Sequence, residues 1–175
     1  MKHVLKIALA AAAMAAIAAP AMAQSSATQS TTASATIVQP ITLTKDSDLA
    51  FGSVVKPTSG TNTVTIDETT GSRSKSGAGD AALATSTTSR AAFTVGGEGG
   101  QTFSITVPST ATMTRSGGSE TLTVNLVKTG ASGTLSGSIG SAGSATFGVG
   151  GNFDVASSTV SGAYSGAFNV TVAYN

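Results

Sequence analysis

The large apolar side chains of this chain recur at every second position, a period that suits a β-strand and little else. Phe103, Ile105 and Val107 alternate with Thr102, Ser104 and Thr106, and Leu122, Val124 and Leu126 repeat the arrangement. Near the end, Tyr164, Phe168, Val170, Val172 and Tyr174 share one parity, interrupted by Gly166. Ala163, Ser165, Ala167, Asn169, Thr171 and Ala173 take the other. Successive side chains of a strand point to opposite faces, so each segment offers one face to a core. A one-residue slip would turn every large side chain outward, which fixes the register.

Strands are expected at Thr36–Thr44, Leu49–Val55, Asn62–Asp67, Arg90–Val95, Thr102–Val107, Glu120–Lys128, Gly133–Ile139, Ala145–Val149, Asn152–Val155 and Ala163–Tyr174. Glycine punctuates the gaps, as in Gly96–Gly100, Gly117-Gly118 and Gly150-Gly151. Helical periodicity is absent, apart from a single turn expected near Ala81–Ala84. Many short strands between regular turn signals read as an all-β, antiparallel, immunoglobulin-like β-sandwich of about 8–10 strands, because alternating faces need a second sheet to cover them. The inward positions are expected to be Phe51, Val64, Ile66, Phe93, Val95, Phe103, Ile105, Val107, Leu122, Val124, Leu126, Phe147, Val149, Phe168, Val170 and Val172.

The first 23 residues stand apart from this pattern. Lys2, His3 and Lys6 form a positive region, Ile7–Ala19 is apolar and dominated by alanine, and Pro20 precedes Ala21-Met22-Ala23. That order is a cleavable secretory signal, with the cut between Ala23 and Gln24 and Ala21 as the second small residue the peptidase reads. The apolar run falls short of the roughly 18 residues of a membrane span. Gln24–Ala35 is a polar tract of Gln, Ser, Thr and Ala, expected to be a flexible leader. Residues 36–175 are then one β-domain, exported to the periplasm, cell surface or medium.

Cleavage would also remove the chain's single His, and there is no Cys or Trp. Ser-His-Asp and Cys-His catalysis therefore lack their parts, and zinc, haem and iron–sulfur sites lack their usual ligands. No cofactor or metal is expected. Of nine basic residues, Lys2 and Lys6 leave with the signal, so seven face eight acidic ones. No basic patch points to nucleic acid. Ser72-Arg73-Ser74-Lys75 and Lys128-Thr129-Gly130 match S-x-x-K and K-T-G of penicillin-recognising enzymes. The first lies in an expected loop and Ser-Asp-Asn is missing, so both read as chance. Gly148–Gly151 and Gly96–Gly100 lack the helix a phosphate cradle needs, and read as turns requiring positive φ. Asp46-Ser47-Asp48 and Asp67-Glu68 read as solvated turn carboxylates, and Asn169-Val170-Thr171 as part of a strand.

The ending carries a sharper signal. Tyr174 is penultimate, Val172, Val170 and Phe168 precede it at steps of two, and Gly162 is fourteenth from the end. This pattern resembles subunits of chaperone–usher pili. The resemblance implies an immunoglobulin-like sandwich lacking its last strand. A periplasmic chaperone, and later the N-terminal extension of the next subunit, would supply that strand by β-augmentation. Gly162, Phe168, Val170, Val172 and Tyr174 would form the strand-pairing interface, with chaperone, usher and a second copy as partners.

A wider resemblance rests on residues 35–43 (Ala-Thr-Ile-Val-Gln-Pro-Ile-Thr-Leu), Leu49-Ala50-Phe51-Gly52, Val149-Gly150-Gly151-Asn152-Phe153 and the run from Gly162 to Val172. On these the chain is similar to a proteobacterial family of small secreted Gly/Ser/Thr-rich β-proteins of unknown function, which implies a surface or secreted β-domain and no activity. Two non-enzymatic readings stay open. One is a fimbrial or pilus-like subunit assembled by strand pairing. The other is a free-standing secreted or surface β-sandwich that binds a matrix or adhesion ligand. The leader separates them: Ala27, Ala33 and Ala35 are small for a donor strand, and using Ile37 and Val38 would take them from the chain's own first strand. A small outer-membrane barrel fits less well, because its strands should approach ten residues and only the last one does.

Overall fold

The structure is a computed structural model that describes residues 25–175. The secretory signal and its cleavage site at Ala21, Ala23 and Gln24 lie outside the described residues. Thr36–Asn175 form one compact unit. Ser25–Ala35, which precede it, carry no regular secondary structure and are exposed.

The described residues are all-β, with every strand pair antiparallel. The strands are β1 Thr42–Ser47, β2 Val54–Val55, β3 Thr61–Ile66, β4 Arg73–Gly77, β5 Ala82–Leu83, β6 Ala91–Glu98, β7 Thr102–Thr106, β8 Thr110–Arg115, β9 Thr121–Lys128, β10 Ser132–Thr134, β11 Ala142–Ala156, β12 Tyr164–Ser165 and β13 Thr171–Tyr174. The main sheet runs β1-β6-β11-β9-β8-β12, with β3 along β11 and β4 on β3. A three-stranded sheet, β10-β7-β13, and the pair β2-β5 complete the domain. The main sheet curls over itself in a half-barrel, consistent with the expected sandwich. Thirteen strands replace the expected eight to ten because several are only two or three residues long.

Strand β11 organises this arrangement. Its first half, Ala142–Val149, pairs with β6, and its second half, Gly151–Ala156, pairs with β3. Its inward side chains keep one parity throughout. Phe147 and Val149 enter a core with Phe93, Val95, Phe103, Ile105 and Leu135. Phe153 and Val155 enter a second core with Phe51, Val64, Ile66, Ala81 and Val124. Phe147 stacks on its cross-strand partner Phe93 at 5.1 Å, and Phe153 meets Phe51 edge-on at 4.9 Å. All sixteen positions expected to face inward belong to these cores, ten buried and six at their half-buried margins.

Several local expectations are corrected. Gly150-Gly151 is not a turn, so Ala145–Val149 and Asn152–Val155 are one strand. Neither glycine has a positive φ. They serve close approach instead: a Cβ on Gly150 would collide with the Ile66 carbonyl, and one on Gly151 would lie 2.5 Å from that of Asn125. Gly100 and Gly117, each with φ of 75°, do make turns. The first strand begins at Thr42, not Thr36, because Pro40 lacks an N–H and residues 36–40 find no strand partner. Of Leu49–Val55 only Val54–Val55 is strand, with a lone bridge between Ala50 and Ser89. Ala82–Leu83 is strand rather than a helical turn. Its flanking polar groups bond far along the chain, Ala81 N–H to Asn62 Oδ1 at 2.9 Å and Ala84 C=O to Arg73 at 2.6 Å.

The expected strand Ala163–Tyr174 is split. Tyr164–Ser165 pairs with β8 and Thr171–Tyr174 with β7, two residues out of common register. Pro108, between β7 and β8, has no N–H to offer the residues between.

Gly150→Ala is expected to destabilise the domain by about 1–3 kcal/mol, the range of forced overpacking. Gly130→Ala should be nearly neutral, since a Cβ there meets only the Ser132 carbonyl at 3.4 Å. Thermal melts of both variants check this, and equal melts would contradict the role given to Gly150.

Candidate functional site

Among the strands with a single partner are β1 and β13, near the two ends of the domain. Among the described residues β1 pairs only with β6, and β13 only with β7. Between the segment that follows β1 and the segment that leads to β13 lies a groove of about 750 Å³. One wall is Leu49–Val54 and the other Thr159–Gly166, over a floor of Met113, Leu122, Phe153 and Val155. The groove continues into a narrow recess of about 40 Å³ bounded by Ala111, Val124, Leu126 and Phe168. The floor is apolar because it is the open flank of the second core.

Single polar side chains fix both walls. The Arg73 guanidinium donates to the carbonyls of Phe51 at 2.8 Å and Ser53 at 3.1 Å, while Ala50 and Ser89 exchange backbone bonds of 2.8 and 3.0 Å. Arginine suits this task because its planar fork holds several acceptors at once. On the other wall, Ser116 N–H donates to Ala163 C=O at 2.8 Å, and the Tyr164 hydroxyl donates to Val160 C=O at 2.7 Å. Gly162 lies against the aliphatic stem of Arg115, where a Cβ would come within 2.7 Å of Arg115 Cδ. Arg115 is held in turn by Glu120, at 2.7 and 3.2 Å. Lys56 closes one end by donating to the Ser157 and Thr159 carbonyls.

The five residues singled out at the C-terminus do not form one cluster. Phe168, Val170, Val172 and Tyr174 share a face and pack, half-buried, against the first core. Gly162 sits apart, exposed in the groove wall. Gly166, between them, lets the chain pass against the Thr112 carbonyl. The Tyr174 hydroxyl is used within the chain: it accepts from the Glu98 N–H at 2.8 Å and donates to the Gln39 carbonyl at 2.9 Å. The roles of Arg73, Arg115 and Glu98 had no signal in the sequence pattern, since lone charged residues look like solvated surface. Among the described residues no group of three or more acidic, His or Cys residues is placed to hold a metal, and no helix is long and apolar enough to cross a membrane.

Residues 41–174 match a family described as a domain of unknown function, DUF4402. The chain belongs to this family. No curated protein and no solved structure matches the chain. In this DUF4402 domain the match begins just before β1 and ends with β13, so both of these strands and the groove lie inside it.

Three carboxylates of the DUF4402 domain are held below their ordinary range. Hydrogen bonds from Thr70 lower Asp67, those from Thr58 lower Asp80, and the Arg115 side chain lowers Glu120. A folded-state value below the unfolded one adds stability that is fully present above the ordinary values of 3.8 and 4.5. That stability is lost as the pH falls through the lowered values. The melting temperature should therefore hold level above pH 4.5 and drop below 3.8. A chain carrying Asp67→Asn and Asp80→Asn should show a shallower drop, and an unchanged acid limb would contradict these contacts.

Proposed function

We propose that this domain is a non-enzymatic, exported structural subunit, fimbrial or pilus-like, that joins to its neighbours by β-strand addition. The observation that carries this reading is the open, apolar-floored groove between Leu49–Val54, which follow β1, and Thr159–Gly166, which lead to β13, two strands that each have one partner. An exposed strand edge is a template for another chain, and an apolar floor adds side-chain burial to the backbone pairing. The candidate donor is the N-terminal segment of a second copy. Its own domain does not bury the apolar side chains of that segment: β1 starts at Thr42, leaving Ile37 90 % and Val38 42 % exposed. Burying such side chains contributes roughly 1.5–3 kcal/mol each. A periplasmic chaperone and an usher fit this reading as assembly partners, since an open groove needs cover before the next subunit arrives.

The second reading is a free-standing secreted or surface β-sandwich with an adhesion or matrix ligand. It is favoured by the Tyr174 hydroxyl, which ties the last strand to β6 and to the chain's own N-terminal segment without help from a partner.

A gel of the surface fraction, unheated beside boiled and probed for the domain, separates the two. Strand addition predicts a ladder of high-mass bands that collapses to one monomer band on boiling. Ile37→Asp should remove the ladder and leave the domain's own stability within about 0.5 kcal/mol, as for any exposed substitution. A monomer band in both lanes of the wild type would overturn the joining reading and leave the free-standing domain.

A further inference from the structure

Glu98, the last residue of β6, is 2 % exposed, the one buried acidic or basic residue among the described residues. A polar group removed from water needs compensating hydrogen bonds. Glu98 Oε2 accepts the Gln39 N–H at 3.1 Å, and Oε1 accepts the Gly140 N–H. The Tyr174 hydroxyl, bonded to the Glu98 N–H, donates to the Gln39 carbonyl. Both backbone groups of Gln39 are therefore held, one by β6 and one by β13. A Cβ on Gly97 would collide with the Tyr174 hydroxyl, so glycine is what admits the ring here. Pro40 follows Gln39 in the chain, and its ring biases the residue before it toward an extended backbone.

Just before this held residue come the two exposed β-branched side chains, Ile37 and Val38. Chain ends ordinarily fray unless tied down. Here the tie falls on the residue that directly follows the apolar pair. We propose that Glu98 and Tyr174 clamp Gln39 so that the N-terminal segment leaves the domain from a fixed point, with Ile37 and Val38 turned out toward a second copy of this chain. This rests on the strand-joining reading above. A pull on the segment then passes at Gln39 into β6, which lies between β1 and β11, and into β13, rather than peeling β1 from its edge. Glu98 and Tyr174 are positioning residues in this scheme and touch no partner themselves.

The test compares full-length wild type with Tyr174→Phe, which removes one oxygen, and with Glu98→Gln. Amide exchange at Gln39 should speed up by about tenfold in each variant, the loss of roughly one hydrogen bond, while amides of β11 keep their wild-type rates. In gels of samples heated in steps, the temperature at which the ladder collapses should fall further than the domain's own melting temperature. Unchanged exchange at Gln39 in both variants would show that no clamp exists. Faster exchange, with the ladder falling no further than the domain melt, would show a tie that plays no part in joining. No ladder in the wild type would remove the joining reading and the presenting role together, with exchange at Gln39 still deciding whether the tie is real.

Discussion

One strand face holds the domain together. The odd-numbered side chains of β11 from Phe147 to Val155 reach both cores, so neither core is complete without the same fifteen-residue strand. The strand can run that far only because Gly150 and Gly151 leave space for the backbones of β3 and β9. Apolar burial on one face and the absence of side chains at the crossing are two requirements of a single segment. The strands paired directly with β11 each have a second partner or lie along its length, whereas β1, beyond β6, and β12, at the far end of the sheet, are left with open edges.

A chain without cysteine must secure its irregular segments by other means. It does so with single polar side chains that gather backbone groups from distant parts of the sequence. Asn62, 1 % exposed, binds Ser76 C=O and Ala81 N–H, Arg73 gathers Phe51, Ser53 and Ala84, and Glu98 gathers Gln39 and Gly140. No buried side-chain nitrogen or oxygen among the described residues lacks a partner. Each contact is worth about 1 kcal/mol net when made and costs more when broken, so the groove walls are set by few residues.

The alternation of Phe103 to Val107, Leu122 to Leu126 and Phe168 to Tyr174 makes the fold class and the core legible in the sequence, because a period of two has one structural meaning. Strands without large apolar residues escaped that signal. β4, Arg-Ser-Lys-Ser-Gly, is polar throughout, and β8 alternates threonine with Ala111, Met113 and Arg115. Gly150-Gly151 looked like a turn because sequence does not distinguish a glycine needed for positive φ from one needed for close approach. The groove was legible only in outline. Gly162 and the C-terminal alternation pointed to the region, but the opposing wall depends on Arg73 reaching twenty residues back to Ser53, which no local pattern encodes. The availability of Ile37 and Val38 depended on where β1 begins, a matter of pairing rather than of composition.

Strand addition at the groove is tested most directly by adding a synthetic peptide of residues 25–40 to the monomer and following backbone amide exchange. The groove walls, Leu49–Val54 and Thr159–Gly166, should become protected as the peptide is titrated, and a peptide carrying Ile37→Asp should leave them unprotected. Unchanged exchange in both walls at saturating wild-type peptide would contradict strand addition, and the groove would then be only an open flank of the second core.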